Sequence, residues 1–445
     1  MRKHLSPFIF CKGMNAMAGE FCFYLKQNIG APSEATVSPG ECVERGDRIA
    51  AKPNKLGADL HSSITGRVLR VTPSEIVIED MGTDFTAYKK LRGKTPWELV
   101  ESSGIVGLGG AGFPTAEKLK TKLSSEGTVI LNAAECEPIL RHNIARIEEN
   151  AGTILEALQI LMELARVKNG VVAIKRKHGK AVAALRAANA GNRYRIAELD
   201  DLYPMGEERA VVREILQVLL PANALPSAVD VIVFNAETAL RVREAVQYKK
   251  PLIDKDITVA GKLQENGAVK VLKDVPVGMH VAEVFALAGG LGTEYGELIM
   301  GGPFTGKRTD LAQAVRKTTG GIIATECFLK DLGKIGLLVC ACGADELRMK
   351  EIAQSLGSRV CGVAYCKQAH QQGNSYKCEN PGRCPGQVQK VMELKKKGAE
   401  ALLIGNCTDC TNTVMSCAQK LNLKIYHSTD QALRAVNHPL IRKIR

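Results

Sequence analysis

Two groups of residues in this 445-residue chain have the types and spacing to do chemistry. The first is GIVGLGGAGFPT, residues 104–115, where Gly104, Gly107, Gly109, Gly110 and Gly112 fall within nine positions just before a helical stretch. Glycines let backbone N–H groups close on a phosphate, and a following helix N-terminus adds partial positive charge, so a phosphorylated cofactor is one occupant. A tight structural turn is the other reading. The loop follows the polar, helix-like PWELVESSG rather than a buried strand, and it lacks the GK[ST] of a Walker loop. The second group is cysteine. Of 14 cysteines, Cys11, Cys22, Cys42, Cys136 and Cys327 are scattered, whereas Cys340, Cys342, Cys361, Cys366, Cys378, Cys384, Cys407, Cys410 and Cys417 crowd into the last 115 residues. Thiolates gathered in this way suit an iron–sulfur cluster, a zinc ion or a dithiol relay, and inert buried thiols are the bland alternative. All four stay open, because only Cys407-x2-Cys410 is a standard chelating pair.

Polar residues lie in three loops between these groups. LNAAECEP, residues 131–138, sets Asn132, Glu135 and Glu137 just beyond an apolar strand, where residues that touch ligands in α/β sheets tend to lie. YPMGEERA, residues 203–210, holds Tyr203, Gly206, Glu207 and Glu208, and FNAETAL, residues 234–240, holds Asn235 and Thr238. Taken singly, each is as well explained by a helix cap or a solvated turn.

The elements that must position these residues follow from period and composition. With 45% hydrophobic and 24% charged residues, the chain reads as several globular domains. Residues 1–94 give an N-terminal segment and short glycine-punctuated strands, a barrel-sandwich module similar in look to biotinyl and lipoyl carriers. Such carriers need a lysine at a hairpin tip. ITGRV offers none, and Lys52 and Lys55 lie on an earlier loop, so the module reads as structural. Residues 95–250 alternate helix and apolar strand, the signature of an α/β sheet covered on both faces. Residues 251–330 have the size and order of a β-grasp (SLBB-like) module, and residues 331–445 form a Cys-rich α/β domain. The fold class is therefore α/β multidomain.

No apolar run approaches the ~20 residues that cross a bilayer, so no transmembrane segment is expected. The start, MRKHLSPFIFCKG, lacks a sustained apolar core before a cleavage site and is not read as a secretory signal. Fourteen cysteines in a chain this long point to a reducing cytoplasm rather than a disulfide-stapled secreted module. The net charge is +13, and residues 331–445 hold 17 Lys+Arg against 9 Asp+Glu, or +8 of it. Lys395, Lys396 and Lys397 read as a solvated face, with steering of an acidic redox partner as the functional alternative. Nucleic-acid binding is not expected at 4% aromatic residues. His61, His370, His427 and His438 read as surface or capping residues, since no Cys/His spacing recruits them as a set.

GLGGAGFPT with Lys118, the NA-x-E-x-EP pattern at 132–138, GEE at 206–208 after Tyr203, and N-x-ET at 235–238 occur in one order over about 135 residues. Together they resemble the flavin-bearing, NADH-oxidising subunit of respiratory complex I and its relative, the C subunit of Rnf electron-transport complexes. The resemblance implies a complex I flavin-subunit-like α/β domain holding FMN, with NADH docking over the flavin. By carry-over, Gly107, Gly109, Gly110, Gly112 and Lys118 hold phosphate and ribityl chain, and Asn132, Asn235 and Thr238 bind flavin polar groups. Phe113 stacks on adenine, Glu207 and Glu208 act at the nicotinamide, and Glu135, Glu137, Tyr203 and Gly206 complete the cofactor site. Leu108 and Ala134 depart from the complex I pattern, which has Arg and Asp there.

Rnf C subunits end in two CxxCxxCxxxCP runs; this chain has neither. Its CPGQVQKVMELKKKGAEALLIGNCTDC is similar to the delta subunit of methyl-viologen-reducing hydrogenase, which implies a [2Fe–2S] centre. Cys340, Cys361 and Cys407 are expected at strand ends on one sheet edge, with Cys340, Cys342, Cys361, Cys366, Cys378, Cys384, Cys407 and Cys410 as candidate metal ligands. The whole chain resembles electron-transfer proteins associated with proline reductase, notably at GGPFTGKRT, YCKQ, CENPGRCPGQ and NHPLIRK. That implies a cytoplasmic NADH-dependent flavoprotein passing electrons to D-proline reductase. Cobalamin reductases, which share the Rnf-like front, and a non-catalytic metal-binding scaffold are the alternatives.

Overall fold

The computed structural model describes residues 19–330, 333–373 and 375–442; the N-terminal stretch judged for a secretory signal, with Cys11, lies outside them. Short strands with glycine turns build two open sheets in the first module. One runs Glu20–Tyr24, Glu75–Asp80, Gly66–Val71 and Cys42–Val43 in space, and the other Glu34–Ala35, Arg48–Ala51 and Leu60–His61. Phe21, Phe23, Ile49, Leu60, Ile76 and Ile78 are sealed between them.

The same apolar cluster continues into residues 254–324, a five-stranded mixed sheet with one short helix, Val281–Leu287. Ile257, Val259, Val284 and Phe285 belong to it, so the two β modules share one core. At their junction Lys317 is fully buried, and its Nζ donates to the carbonyls of Asp59, at 2.5 Å, and Gly104, at 2.9 Å. Burial pushes this ammonium down to about 7, and its two bonds pin the base of the glycine loop to the β modules.

Residues 128–235 form a four-stranded parallel sheet, ordered Arg195–Leu199, Asn169–Lys175, Thr128–Ala133, Val231–Asn235. Alternate strand residues serve opposite faces. Leu131, Val172 and Phe234 pack under helices His142–Ala165 and Ala236–Tyr248, while Ile130, Val171 and Val233 meet helix Glu208–Leu216. Covering on both faces is what the strand–helix alternation requires. Arg146 and Arg241 leave the first two helices and bond Asp256, at 2.6 and 3.0 Å, and both also pair with Asp274 of the five-stranded sheet. Burial alone would raise the Asp256 carboxyl, but Arg241 and Arg146 hold it down to about 2.

A second four-stranded parallel sheet follows, ordered Arg359–Tyr365, Lys334–Val339, Ala401–Ile404, Lys424–His427. A hairpin of Ala369–Gln372 and Ser375–Cys378 leaves its first strand pair. In both parallel sheets the chain builds outward on one side and then returns to the other. Each therefore has a switch point at its carboxyl edge, where α/β folds place ligands.

Candidate functional site

The register of the first sheet sets Asn132 beside Asn235 at the carboxyl ends of the strands flanking its switch point. Asn235 caps helix Ala236–Tyr248, its Oδ1 accepting from the N–H groups of Glu237 at 2.9 Å and Thr238 at 3.4 Å. Asn132 Nδ2 donates to the Gly206 carbonyl at 2.8 Å. The glycine loop closes on this pair: a Cβ on Gly109 would stand 2.3 Å from Asn235 Nδ2, so only glycine lets the loop come so near. A Cβ on Gly110, by contrast, would meet nothing within 4 Å, and it borders open space.

That space is a cavity of about 480 Å³. Gly107, Gly109, Gly110, Gly112, Phe113, Lys118, Asn132, Gly206, Glu207, Glu208, Asn235 and Thr238 all line it. Phe113, 39% exposed, presents its ring at the wall. Lys118 Nζ meets Glu208 Oε1 at 2.6 Å. Glu207 caps helix Glu208–Leu216 by accepting from the N–H groups of Arg209 at 2.9 Å and Ala210 at 3.0 Å, and pairs with the Arg209 guanidinium. Two helix N-termini thus border the cavity, both favourable to an anion. Leu108 and Ala134 are core residues, 1% and 0% exposed, and the Leu108 N–H donates to Thr238 Oγ1 at 3.0 Å.

Three expected cofactor ligands stand elsewhere. Glu135, left-handed at φ 39, turns its carboxylate to the N–H of Asn143 at 2.9 Å, in the first turn of the next helix. Glu137 accepts from the N–H groups of Phe304 and Thr305 and from the Thr305 hydroxyl, holding a loop of the five-stranded module. Burial raises its carboxyl. Tyr203 stacks flat on Phe304, centroids 3.5 Å apart, and its hydroxyl donates to the Cys342 carbonyl at 2.5 Å. Neither Glu135, Glu137 nor Tyr203 borders the 480 Å³ cavity. Spacing placed them at the right sheet edge, but their directions hang on backbone angles that spacing does not encode.

Beyond Gly206 opens a second cavity of about 290 Å³, lined by loops from the carboxyl edges of both parallel sheets. Gly109, Gly206, Glu207, Arg209 and Lys377 border both spaces. The far wall carries Cys136, Cys342 and Cys378. Arg209 reaches across to the Cys378 carbonyl at 2.6 Å, and Arg213 to that of Pro381 at 2.8 Å, so the helix after Glu207 grips the cysteine segment.

Past that wall the sulfurs run on in contact. The thiols are close enough to influence one another, Cys378 with Cys342, Cys342 with Cys340 and Cys407, Cys340 with Cys366, and Cys410 with Cys366 and Cys384. Neighbouring thiols donating to them hold Cys366 down to about 3 and Cys384 to about 6. Amides supply further donors: Gln387 Nε2 reaches Cys366 at 3.2 Å and Cys384 at 3.4 Å, and Asn406 Nδ2 reaches Cys410 at 2.7 Å. Among the described residues no three His, Cys, Asp or Glu side chains are arranged to hold a single metal ion. What the fold offers is sulfurs in touching pairs with N–H donors around them. That donor set fits a two-iron centre, which takes one pair at each iron, better than a mononuclear site.

One expected ligand is displaced. Cys361 is the bulge residue near the start of strand Arg359–Tyr365, and it is Cys366, just past that strand's end, that shares the carboxyl edge with Cys340 and Cys407. Two histidines are also not where expected. His61 and His427 are buried, 4% and 2% exposed, and His427 sits edge-on to Phe304 at 5.3 Å with its Nε2 on the Asn406 carbonyl. Burial keeps it neutral, down to about 4. His370 is exposed beside Glu379, as read, and His438 is half-buried, with its Nδ1 on the Pro439 carbonyl. Lys395, Lys396 and Lys397 form a solvated face. Cys136, Arg209, Lys377 and Gln387 escaped the sequence reading; the GEER and CPGQ strings, adjoining recognised motifs, were the available signal for two of them.

Residues 100–244 match the Nuo51 FMN-binding domain, and residues 13–85 match the RnfC barrel sandwich hybrid domain. The C subunit of the proton-translocating ferredoxin:NAD(+) oxidoreductase complex of Clostridium ljungdahlii is 30% identical over 320 residues, 67% of this chain and 69% of that one. The chain belongs to the RnfC family, the C subunits of Rnf complexes and their relatives. Within that family, cobalamin reductase PduS of Citrobacter freundii is 37% identical over 370 residues, 80% of this chain and 76% of its own. This RnfC-family chain spans 42% of the C subunit of the ion-translocating oxidoreductase complex of Pseudomonas aeruginosa, at 31% identity over 69% of itself. An NAD+-reducing [NiFe]-hydrogenase structure is similar over 52% of this chain and 47% of its own, with a TM-score of 0.44 and 19% identity. The chain is thus a mixed α/β, Rnf-type flavin electron-transfer protein with an oxidoreductase role. No helix of the described residues is long and apolar enough to cross a membrane.

Proposed function

We propose that this protein oxidises NADH at FMN and sends the electrons through a cysteine-bound centre to a partner reductase. The observation behind this is the common wall: five residues border both the glycine-loop cavity and the cysteine-lined one, so donor and exit are back to back. Bound FMN would supply hydride acceptance and one-electron release; the chain binds and orients it. Backbone groups of residues 107–112 cradle the phosphate, Lys118 supplies a cation, and Asn132, Asn235 and Thr238 fix the ring's polar edge. Phe113 offers adenine a stacking face, and Glu207 and Glu208 stand at the nicotinamide side. Cys340, Cys342, Cys366, Cys378, Cys384, Cys407 and Cys410 are the ligand pool for a [2Fe–2S]-type centre. We read the five-stranded module as β-grasp (SLBB-like). D-proline reductase is the acceptor suggested by the resemblance of the whole chain, in a reducing cytoplasm. The 37% identity to a cobalamin reductase favours a second acceptor, a corrinoid.

Absorbance of the anaerobically purified chain, before and after NADH, tests the reading. Flavin bands that bleach on NADH addition support it, and a colourless protein, or flavin indifferent to NADH, overturns it. Reoxidation by D-proline reductase or by a corrinoid then separates the two acceptors.

A further inference from the structure

We propose that Lys377, on the hairpin of the cysteine segment, binds the diphosphate of NADH, so that the tail completes the dinucleotide site of the flavin module. The inference rests on the reading proposed above and adds a residue to the same cavity.

Strand alternation sets the direction of this side chain. Tyr376 stacks on Tyr365, centroids 4.5 Å apart, and Cys378 is buried, so both neighbours turn toward the cysteine segment. Lys377 lies between them, opposite His370 across the hairpin, and is exposed. It borders the 480 Å³ cavity as well as the 290 Å³ one, and Gln372 of the facing strand also borders the larger.

The hairpin is fixed at this place by the flavin module. Arg209 Nη2 donates to the Cys378 carbonyl at 2.6 Å, one residue from Lys377, and Arg213 Nη1 to the Pro381 carbonyl at 2.8 Å. Both arginines belong to helix Glu208–Leu216, whose N-terminus lines the larger cavity.

Charge decides what the lysine takes. Three cations line the larger cavity, Lys118, Arg209 and Lys377. Lys118 is engaged by Glu208 and Arg209 by Glu207. Among the described residues the Lys377 ammonium has no ion pair. Glu207 and Glu208 make the same wall rich in carboxylates, and a dinucleotide entering beside them brings the negative charge of its diphosphate. An unengaged ammonium offsets that charge with a bond stronger than a neutral donor makes. The single phosphate of FMN has the glycine loop and Lys118.

The experiment uses the full FMN-loaded chain as wild type, Lys377→Gln and Lys395→Gln. Each is reduced by NADH and by dihydronicotinamide riboside, a hydride donor without phosphate, and NAD+ binding is measured by calorimetry. Lys377→Gln should raise both KM for NADH and the NAD+ dissociation constant at least about tenfold, the loss expected for a charge-assisted bond. Its kcat, its FMN content and its reaction with the riboside should stay as in wild type. Lys395→Gln removes the same charge from the solvated helix face and should match wild type throughout. Unchanged KM and NAD+ affinity in Lys377→Gln, loss of FMN instead, or an equal loss with the riboside overturns this inference alone. A wild type that NADH does not reduce and that does not bind NAD+ overturns it together with the reading it rests on.

Discussion

Lys118 stands in the cavity already engaged by Glu208 at 2.6 Å, and an incoming flavin phosphate has to compete for it. The pair is part-exposed, at 24% and 43%, so it is worth about 0.2–1 kcal/mol. A charge-assisted bond from Lys118 to phosphate is worth about 1.5–3 kcal/mol. The difference, about 0.5–2.8 kcal/mol, makes FMN bind about 2- to 100-fold more weakly to Lys118→Met, at tenfold per ~1.4 kcal/mol. Glu208→Gln moves the other way. It frees the ammonium and tightens FMN by up to about fivefold, while slowing NADH oxidation because a carboxylate leaves the nicotinamide side. The double variant should bind FMN as Lys118→Met does, since the freed cation is gone. Titrating apo-protein with FMN and following flavin fluorescence reads all three, and raised salt should shrink the differences. An unchanged dissociation constant in Lys118→Met, or weaker binding in Glu208→Gln, would refute the placement of the phosphate at Lys118.

Gly109→Ala puts a methyl 2.3 Å from Asn235 Nδ2, so the loop or the cap must yield. FMN content should fall and the melting temperature drop, by about 1–3 kcal/mol of overpacking, as followed by thermal denaturation. Gln387→Leu removes N–H donors from Cys366 and Cys384, so the centre's reduction potential should shift negative in a spectroelectrochemical titration. Asp256, held at about 2 by Arg241 and Arg146, contributes stability that is complete above pH ~4 and is lost as pH falls through about 2. Asp256→Asn should cost about 3–5 kcal/mol at neutral pH in denaturant unfolding and flatten that acid limb, because the buried Arg241 and the half-buried Arg146 lose a partner.

Much of the flavin side was legible because its motifs coincide with strand ends. A run such as TVILNA announces both the strand and the Asn132 that follows it, and FNAET does the same for Asn235. Glu135 and Glu137 were misjudged for a local reason: a left-handed residue at Glu135 turns one carboxylate toward a helix start, and the other meets a loop 167 residues away. In RVCGVAYC both cysteines border apolar residues, so the strand's carboxyl end could fall at either. The bulge at Cys361 decides it, and a bulge is set by pairing with a neighbouring strand rather than by composition. Cys136 looked scattered because its neighbours arrive from the other end of the chain, a contact that no local pattern records. The two β modules read as separate from their strand periods, yet they share one core, since burial is a property of facing surfaces.

Tyr203, Phe304 and His427 come from the flavin sheet, the five-stranded module and the cysteine segment, and they meet in one aromatic stack. Removing any one of the three modules bares the rings of the other two, directly beside the Cys342 carbonyl that Tyr203 holds. The tail is therefore not an exchangeable cartridge. A relative that swaps it for ferredoxin-type repeats has to rebuild the seat made by these rings, and a truncation that ends near residue 330 should be tested for aggregation before its flavin chemistry is interpreted.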